Sequence, residues 1–88
     1  MTSPLTIYST DWCGSCHRLK RQLAEAGIDA VEINIELDES AADWVMDVNT
    51  GDRTVPTVRF ADDSALTNPS VAAVQAKLTS LGELTVES

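Results

Sequence analysis

The sequence predicts an α/β fold, a mixed four-stranded sheet flanked by helices, with its elements in the order β-α-β-α-β-β-α. Three observations lead there. Short runs of alternating hydrophobicity take turns with longer runs at helical spacing. The first two strands are separated by a helix, which calls for a parallel pair with a right-handed crossover. The last two are separated only by residues 61–64, where Asp62, Asp63 and Ser64 supply turn chemistry and make that pair an antiparallel hairpin.

The first strand is Leu5 to Ser9. Leu5 and Ile7 share one face, and Tyr8 points to the other. From Gly14 to Ala26 the period is helical, with Cys16, Leu19, Leu23 and Ala26 on one apolar stripe and Gly27 as the stop. Val31 to Glu36 alternates again. Val31, Ile33 and Ile35 form a dry face and Glu32, Asn34 and Glu36 a wet one, as expected of a strand at a sheet edge. Asp38 or Ser40 caps a second helix whose stripe is Ala41, Trp44, Val45 and Val48, ended by Asn49-Thr50-Gly51. Pro56 opens a third strand, Thr57 to Phe60, and Ala65 to Thr67 is a short fourth. Asn68 is the expected cap of the last helix, with Pro69 at its first position and Val71, Val74, Leu78 and Leu81 as its buried stripe.

The chain has 88 residues, which predicts one domain over 1–88. At 43% hydrophobic it carries enough apolar side chain for a compact core. Its net charge of −8 argues against nucleic acid, where affinity comes from neutralising phosphates, and against anionic membrane surfaces. The start of the chain, MTSPLTIYST, has neither the basic head nor the apolar run of a secretory signal. No segment reaches the ~18 apolar residues of a membrane span. A cytoplasmic monomer is expected. In that compartment two cysteines point to a working disulfide or a metal site rather than a staple.

The chemistry gathers in DWCGSCHRLK, residues 11 to 20, which holds both cysteines and the single histidine. Cys13 falls where a strand ends and a helix begins; Cys16 lies one turn further, on the buried stripe. Free N–H groups and the positive end of the helix dipole meet at Cys13, so its thiol is expected to ionise below the ~8.5 of a free cysteine. The thiolate is the form that attacks disulfides. Residues i and i+3 are neighbours on a helix, so Cys16 can reach back and resolve a mixed disulfide formed on Cys13. Gly14 and Ser15 leave the approach open.

Three other readings compete. Haem attachment to C-x-x-C-H needs a maturation context and axial ligands, and beyond His17 the chain offers only Met1 and Met46. Zinc needs four ligands, and Cys13, Cys16 and His17 are the only thiol or imidazole groups, so a carboxylate or a second chain would have to complete the site. An inert pair of core cysteines leaves the strand, C-x-x-C, helix arrangement unexplained. The dithiol reading accounts for all of it. His17 then reads as a helix residue beside the site.

TIYSTDWCGSCHRLK (6–20) and WVMDVNTGDRTVPTVRFADDSALTNPS (44–70), about half the chain, resemble glutaredoxin-type members of the thioredoxin superfamily. Within them the pattern is most similar to the actinobacterial mycoredoxins. The resemblance implies the thioredoxin/glutaredoxin fold and a thiol–disulfide oxidoreductase with Cys13 as nucleophile and Cys16 as resolving thiol. It implies a cis bond before Pro56 and a Val55 backbone that pairs with an extended thiol ligand. By the same resemblance Arg53 and Thr54 precede that pair, and Thr67, Asn68 and Ser70 are expected to complete the ligand groove; Trp12 beside Cys13 reads as an exposed apolar wall for partner docking, with core packing as the competing reading. No bound cofactor is implied. The co-substrate would be mycothiol, a sugar-based cysteine conjugate, and the clients protein mixed disulfides. Electrons would come from NADPH through a separate reductase.

Two departures stand out. Glutathione-using glutaredoxins carry a Gly-Gly doublet and an acidic residue before the last helix, where this chain has LTNPS. Gly14-Ser15 also lacks the aromatic residue that many relatives place before the second cysteine. A thioredoxin-like electron donor, to ribonucleotide reductase or other protein disulfides and reduced by thioredoxin reductase, is the alternative. The Trp-Ser-Gly-Phe-Arg-Pro type of segment typical of that branch is absent. A third reading is a binding module whose cysteines hold zinc or an iron–sulfur cluster between two chains.

Overall fold

The structure, a computed structural model, describes residues 5–81; the reading of the N-terminus rests in part on residues 1–4, outside that range. The elements are β1 (Leu5–Ser9), α1 (Gly14–Glu25), β2 (Val31–Asn34), α2 (Glu39–Val48), β3 (Thr57–Phe60), β4 (Ala65–Thr67) and α3 (Val71–Ser80). They follow the expected order. The sheet runs β2-β1-β3-β4, so β2 is an edge strand. β1 pairs parallel with β2 and antiparallel with β3, and β3 pairs antiparallel with β4.

The register fixes what each face buries. Ile7 lies opposite Val58 and Leu5 opposite Phe60. Residues facing each other across a ladder share a side of the sheet. These four join Leu19 and Leu23 of α1 and Val74 and Leu78 of α3 in one core layer. Tyr8 points the other way, to Ile35 and to Ala41, Ala42 and Val45 of α2. The period-two reading of β1 thus separates the two layers correctly. α1 is tied to β2 by a small polar network. The buried Ser9 hydroxyl donates to Glu32 Oε2 at 2.6 Å, and Lys20 Nζ sits 2.7 Å from the same oxygen. Lys20 first, and Ser9 second, hold the Glu32 carboxyl below its ordinary range. Both charged side chains are partly exposed, so the pair contributes about 1 kcal/mol or less.

Several boundaries differ from the sequence reading. β2 stops at Asn34 instead of Glu36. Ile35 still donates its N–H to the Ser9 carbonyl at 3.0 Å and is buried against α2, so the hydrophobic alternation outlasts the strand. Val31, placed on the dry face, is 47% exposed as the first residue of the edge strand, and Val48 is 38% exposed at the end of α2. Ala26, assigned to the apolar stripe, is the exposed C-cap of α1. Asp38, not Ser40, caps α2, accepting the Ala41 N–H at 3.1 Å. Ser70, not Asn68, caps α3, accepting the Ala73 N–H at 3.1 Å. Asn68 instead takes a left-handed conformation, φ 48°, with its N–H donated to the Pro56 carbonyl at 2.7 Å. That bond holds the chain beside the start of β3 for one residue beyond β4, and Pro69 lies outside the helix.

Candidate active site

β1 delivers the chain to the end of the sheet, and a turn reverses it into α1. The Cys13 N–H donates to the Thr10 carbonyl at 3.3 Å and closes that turn. Asn34 Nδ2 donates to Asp11 Oδ1 at 3.0 Å, and His17 Nε2 donates to the Asp11 carbonyl at 3.0 Å. His17 is therefore a clasp on the loop, in line with its reading as a residue beside the site. Neither Asp11 nor Asn34 is marked by a motif; the sequence reading put Asn34 only on the wet face of the second strand and gave Asp11 no role.

Cys13 is the N-cap of α1, with extended backbone at φ −86° and ψ 105°. Its sulfur takes the position that a serine or aspartate oxygen fills in an ordinary cap. The Cys16 N–H donates to it at 3.1 Å. A negative charge on this sulfur is met by a helix N–H and by the positive end of the helix dipole. The two cysteines are joined as a disulfide, with Cα atoms 5.3 Å apart. Cys13 is 6% exposed and Cys16 is 0% exposed, so Cys13 is the more accessible of the two. Trp12 stands 73% exposed beside it. A Cβ built on Gly14 would meet nothing within 4 Å, so the first residue of α1 is uncrowded.

The Val55–Pro56 bond is cis, as the resemblance implied. The Val55 carbonyl lies 3.8 Å from Cys13 Sγ. Thr54 offers its carbonyl to the Thr57 hydroxyl at 2.7 Å, and Asn49 Nδ2 donates to that hydroxyl oxygen at 3.1 Å. The Thr67 hydroxyl donates to Asn49 Oδ1 at 2.5 Å. One amide at the end of α2 therefore clasps the Thr54–Thr57 turn to β4. The sequence showed Asn49 only as a helix stop, because its partners lie far along the chain.

The expected site residues fall into two groups around the dithiol. Trp12, Val55 and Pro56 are beside Cys13. Thr67 and Asn68 reach it through the Asn49 and Pro56 hydrogen bonds, with Ser70 two residues beyond. Arg53 is exposed and lines a separate cleft with Glu36, Leu37 and Glu39. Thr10 was not foreseen: its hydroxyl is buried and has no hydrogen-bond partner among the described residues. Among those residues no group of three or more His, Cys, Asp or Glu side chains converges as a metal site, and no helix is long and apolar enough to cross a membrane.

This corner brings an ionisable sulfur, a second sulfur within bonding reach and an open backbone edge together, which is the equipment for thiol–disulfide exchange. Comparison with known proteins gives the same answer. The family model described as Glutaredoxin matches residues 5–64. The chain belongs to the glutaredoxin family. This glutaredoxin is 45% identical over 82 residues to Mycoredoxin 1 of Corynebacterium glutamicum, covering 90% of this chain and 98% of that one. It is 55% identical over 78 residues to a protein of Mycobacterium tuberculosis that bears the glutaredoxin name, covering 89% and 93%. Among solved structures, the glutaredoxin of Methanosarcina mazei Go1 superposes with a TM-score of 0.73 at 20% identity, covering 86% of this chain and 78% of that one. The NrdH-redoxin of Escherichia coli superposes at 0.60 with 32% identity, covering 72% and 79%. The fold is the thioredoxin/glutaredoxin fold, and the protein is a mycoredoxin-like glutaredoxin with a C-x-x-C redox centre.

Proposed function

We propose that this glutaredoxin reduces mixed disulfides between mycothiol and proteins, acting as a cytoplasmic monomer. The observation that carries the reading is the Cys13 sulfur: it caps α1, accepts the Cys16 N–H and faces the Val55 carbonyl at the uncrowded start of the helix. Near full-length similarity to Mycoredoxin 1 supports the choice of thiol. So does LTNPS at 66–70, in place of the Gly-Gly-acidic segment that holds the amino-acid end of glutathione.

The Cys13 thiolate attacks the mycothiol sulfur of the mixed disulfide. The new S–S bond forms as the old one breaks, and the protein leaves as a thiolate that takes up a proton. Cys13 now carries mycothiol. A second mycothiol thiolate then attacks the bound mycothiol sulfur and releases Cys13, or the Cys16 thiolate attacks Cys13 Sγ, releases mycothiol and leaves the internal disulfide. NADPH restores the reduced pool through a separate mycothione reductase. Trp12 walls the groove, and the Val55 backbone pairs with the extended ligand. Thr54, Pro56, Thr67, Asn68 and Ser70 shape or line its remaining edge.

Incubation of the oxidised protein with mycothiol and with glutathione, separately, followed by intact mass, tests the reading. The expected result is a mycothiol adduct on Cys13 and little glutathione adduct under matched conditions. Equal adducts with both thiols would contradict it. The solved E. coli NrdH-redoxin, described with a thioredoxin-like activity profile, supports a second reading as a donor to protein disulfides. Faster turnover with thioredoxin reductase than with mycothiol and its reductase would favour that one.

A further inference from the structure

Ser9, Thr10 and Thr57 are the buried polar residues among those described. The Ser9 hydroxyl donates to Glu32, and the Thr57 hydroxyl donates to the Thr54 carbonyl and accepts from Asn49. Thr10 is the exception. Its residue is 4% exposed, and its hydroxyl has no hydrogen-bond partner among the described residues, neither cysteine sulfur included. Enclosing a hydroxyl without a partner is costly, and a valine, with the same branched shape, would avoid that cost.

Thr10 stands at the redox centre. It is the first residue after β1, and its carbonyl accepts the Cys13 N–H at 3.3 Å, so Thr10 and Cys13 are the two ends of one tight turn. Tyr8 and Thr10 are two residues apart at the end of the strand, which sends both side chains to the α2 side of the sheet. Ser9, between them, bonds instead to Glu32 beside Lys20 of α1. Val55 packs against the same layer as Tyr8, and its carbonyl lies 3.8 Å from Cys13 Sγ. The enclosed hydroxyl thus shares its corner with the attacking sulfur.

The redox state of that sulfur decides whether the hydroxyl has an acceptor. A neutral sulfur is a weak acceptor, whereas a thiolate is charged and makes the stronger kind of hydrogen bond. We propose that the Thr10 hydroxyl is a redox-linked donor to the nucleophile: without an acceptor while Cys13 is bonded to Cys16, it donates to the Cys13 thiolate once that bond is reduced. The anion then has two donors, the Cys16 N–H and the Thr10 O–H. In the two-electron step the two thiols of the reductant become a disulfide and give up two protons. Cys16 takes one as a thiol, the other goes to solvent, and Cys13 keeps the negative charge. The hydroxyl destabilises the oxidised form and stabilises the reduced one, and both effects raise the reduction potential. This inference rests on the dithiol alone and holds for any thiol co-substrate.

The test equilibrates oxidised wild type with reduced Thr10→Val at a pH where Cys13 is ionised, a trace of dithiothreitol carrying electrons between them. Rapid alkylation and intact mass then count the four species. The expected equilibrium favours reduced wild type and oxidised variant by about tenfold, which is about 30 mV for a two-electron couple. Ultraviolet titration of the reduced proteins should place the ionisation of Cys13 at higher pH in Thr10→Val than in the wild type. Thr10→Ser, which keeps the hydroxyl, should stay close to wild type in both readings. An even partition with an unchanged titration in Thr10→Val would overturn the proposal. A shift in only one of the two readings would do the same, because a bond to the thiolate must move both. Equal shifts in Thr10→Val and Thr10→Ser would trace the effect to packing and also refute it. Thermal unfolding of the oxidised forms checks the fold: Thr10→Val should melt no lower than the wild type. A clearly lower Tm would mean that the hydroxyl has a partner in the disulfide form, which contradicts the proposal.

Discussion

Cys13→Ser is expected to lower turnover of a mixed-disulfide substrate on the order of 10³-fold or more, because it removes the more exposed of the two cysteine thiols and so the attacking group. Cys16→Ser is expected to behave differently. It leaves the Cys16 backbone N–H in place to stabilise the Cys13 sulfur, and a second mycothiol can still resolve the adduct. Within a few-fold of wild-type turnover is the expected outcome for a route that needs one thiol. Coupled assays with excess mycothiol and its reductase read both variants. Equal and complete loss in the two would overturn the one-thiol route and require Cys16 to resolve every cycle.

The largest effect on stability is expected from Leu23→Ala. Leu23 is 1% exposed on α1 and packs in the layer that joins Ile7 and Val58 of the sheet to Val74 and Leu78 of α3. The truncation removes buried methyl groups and leaves a cavity, at a cost of about 2–5 kcal/mol. Against a total stability of about 5–15 kcal/mol this is a large share, and it corresponds to a fall in Tm of roughly 10–30 °C for a chain of this size. Thermal unfolding with the disulfide kept intact measures it. A fall of only a degree or two would mean that α1 is not anchored through this residue.

Burial periodicity made most of the fold legible. Leu5, Ile7 and Tyr8 alone assign the two layers, and Leu19 and Leu23 orient α1. The same signal misplaced the end of β2. Ile35 is buried by α2 after the ladder has ended, and hydrophobic alternation reports burial, not strand pairing. The start of α3 was misread for a related reason. Asn68 and Ser70 are both good caps, and what decides between them is a hydrogen bond from Asn68 to Pro56, twelve residues away in sequence. At the site, the cysteines announced themselves by spacing, and the cis bond at Pro56 came from the family resemblance. The supports did not announce themselves. Asn34 and Asn49 act through partners that only the folded chain brings near, and no local pattern marks them or the buried, unpartnered Thr10 hydroxyl.

Everything the site does requires Cys13 to be an anion at working pH. Ultraviolet titration of thiolate in the reduced protein, with Cys16→Ser to assign the signal, measures this directly. The expected result is half-ionisation of Cys13 below the ~8.5 of a free cysteine, the direction in which the helix N-terminus shifts it. A Cys13 thiol that stays protonated up to that value or beyond would contradict it.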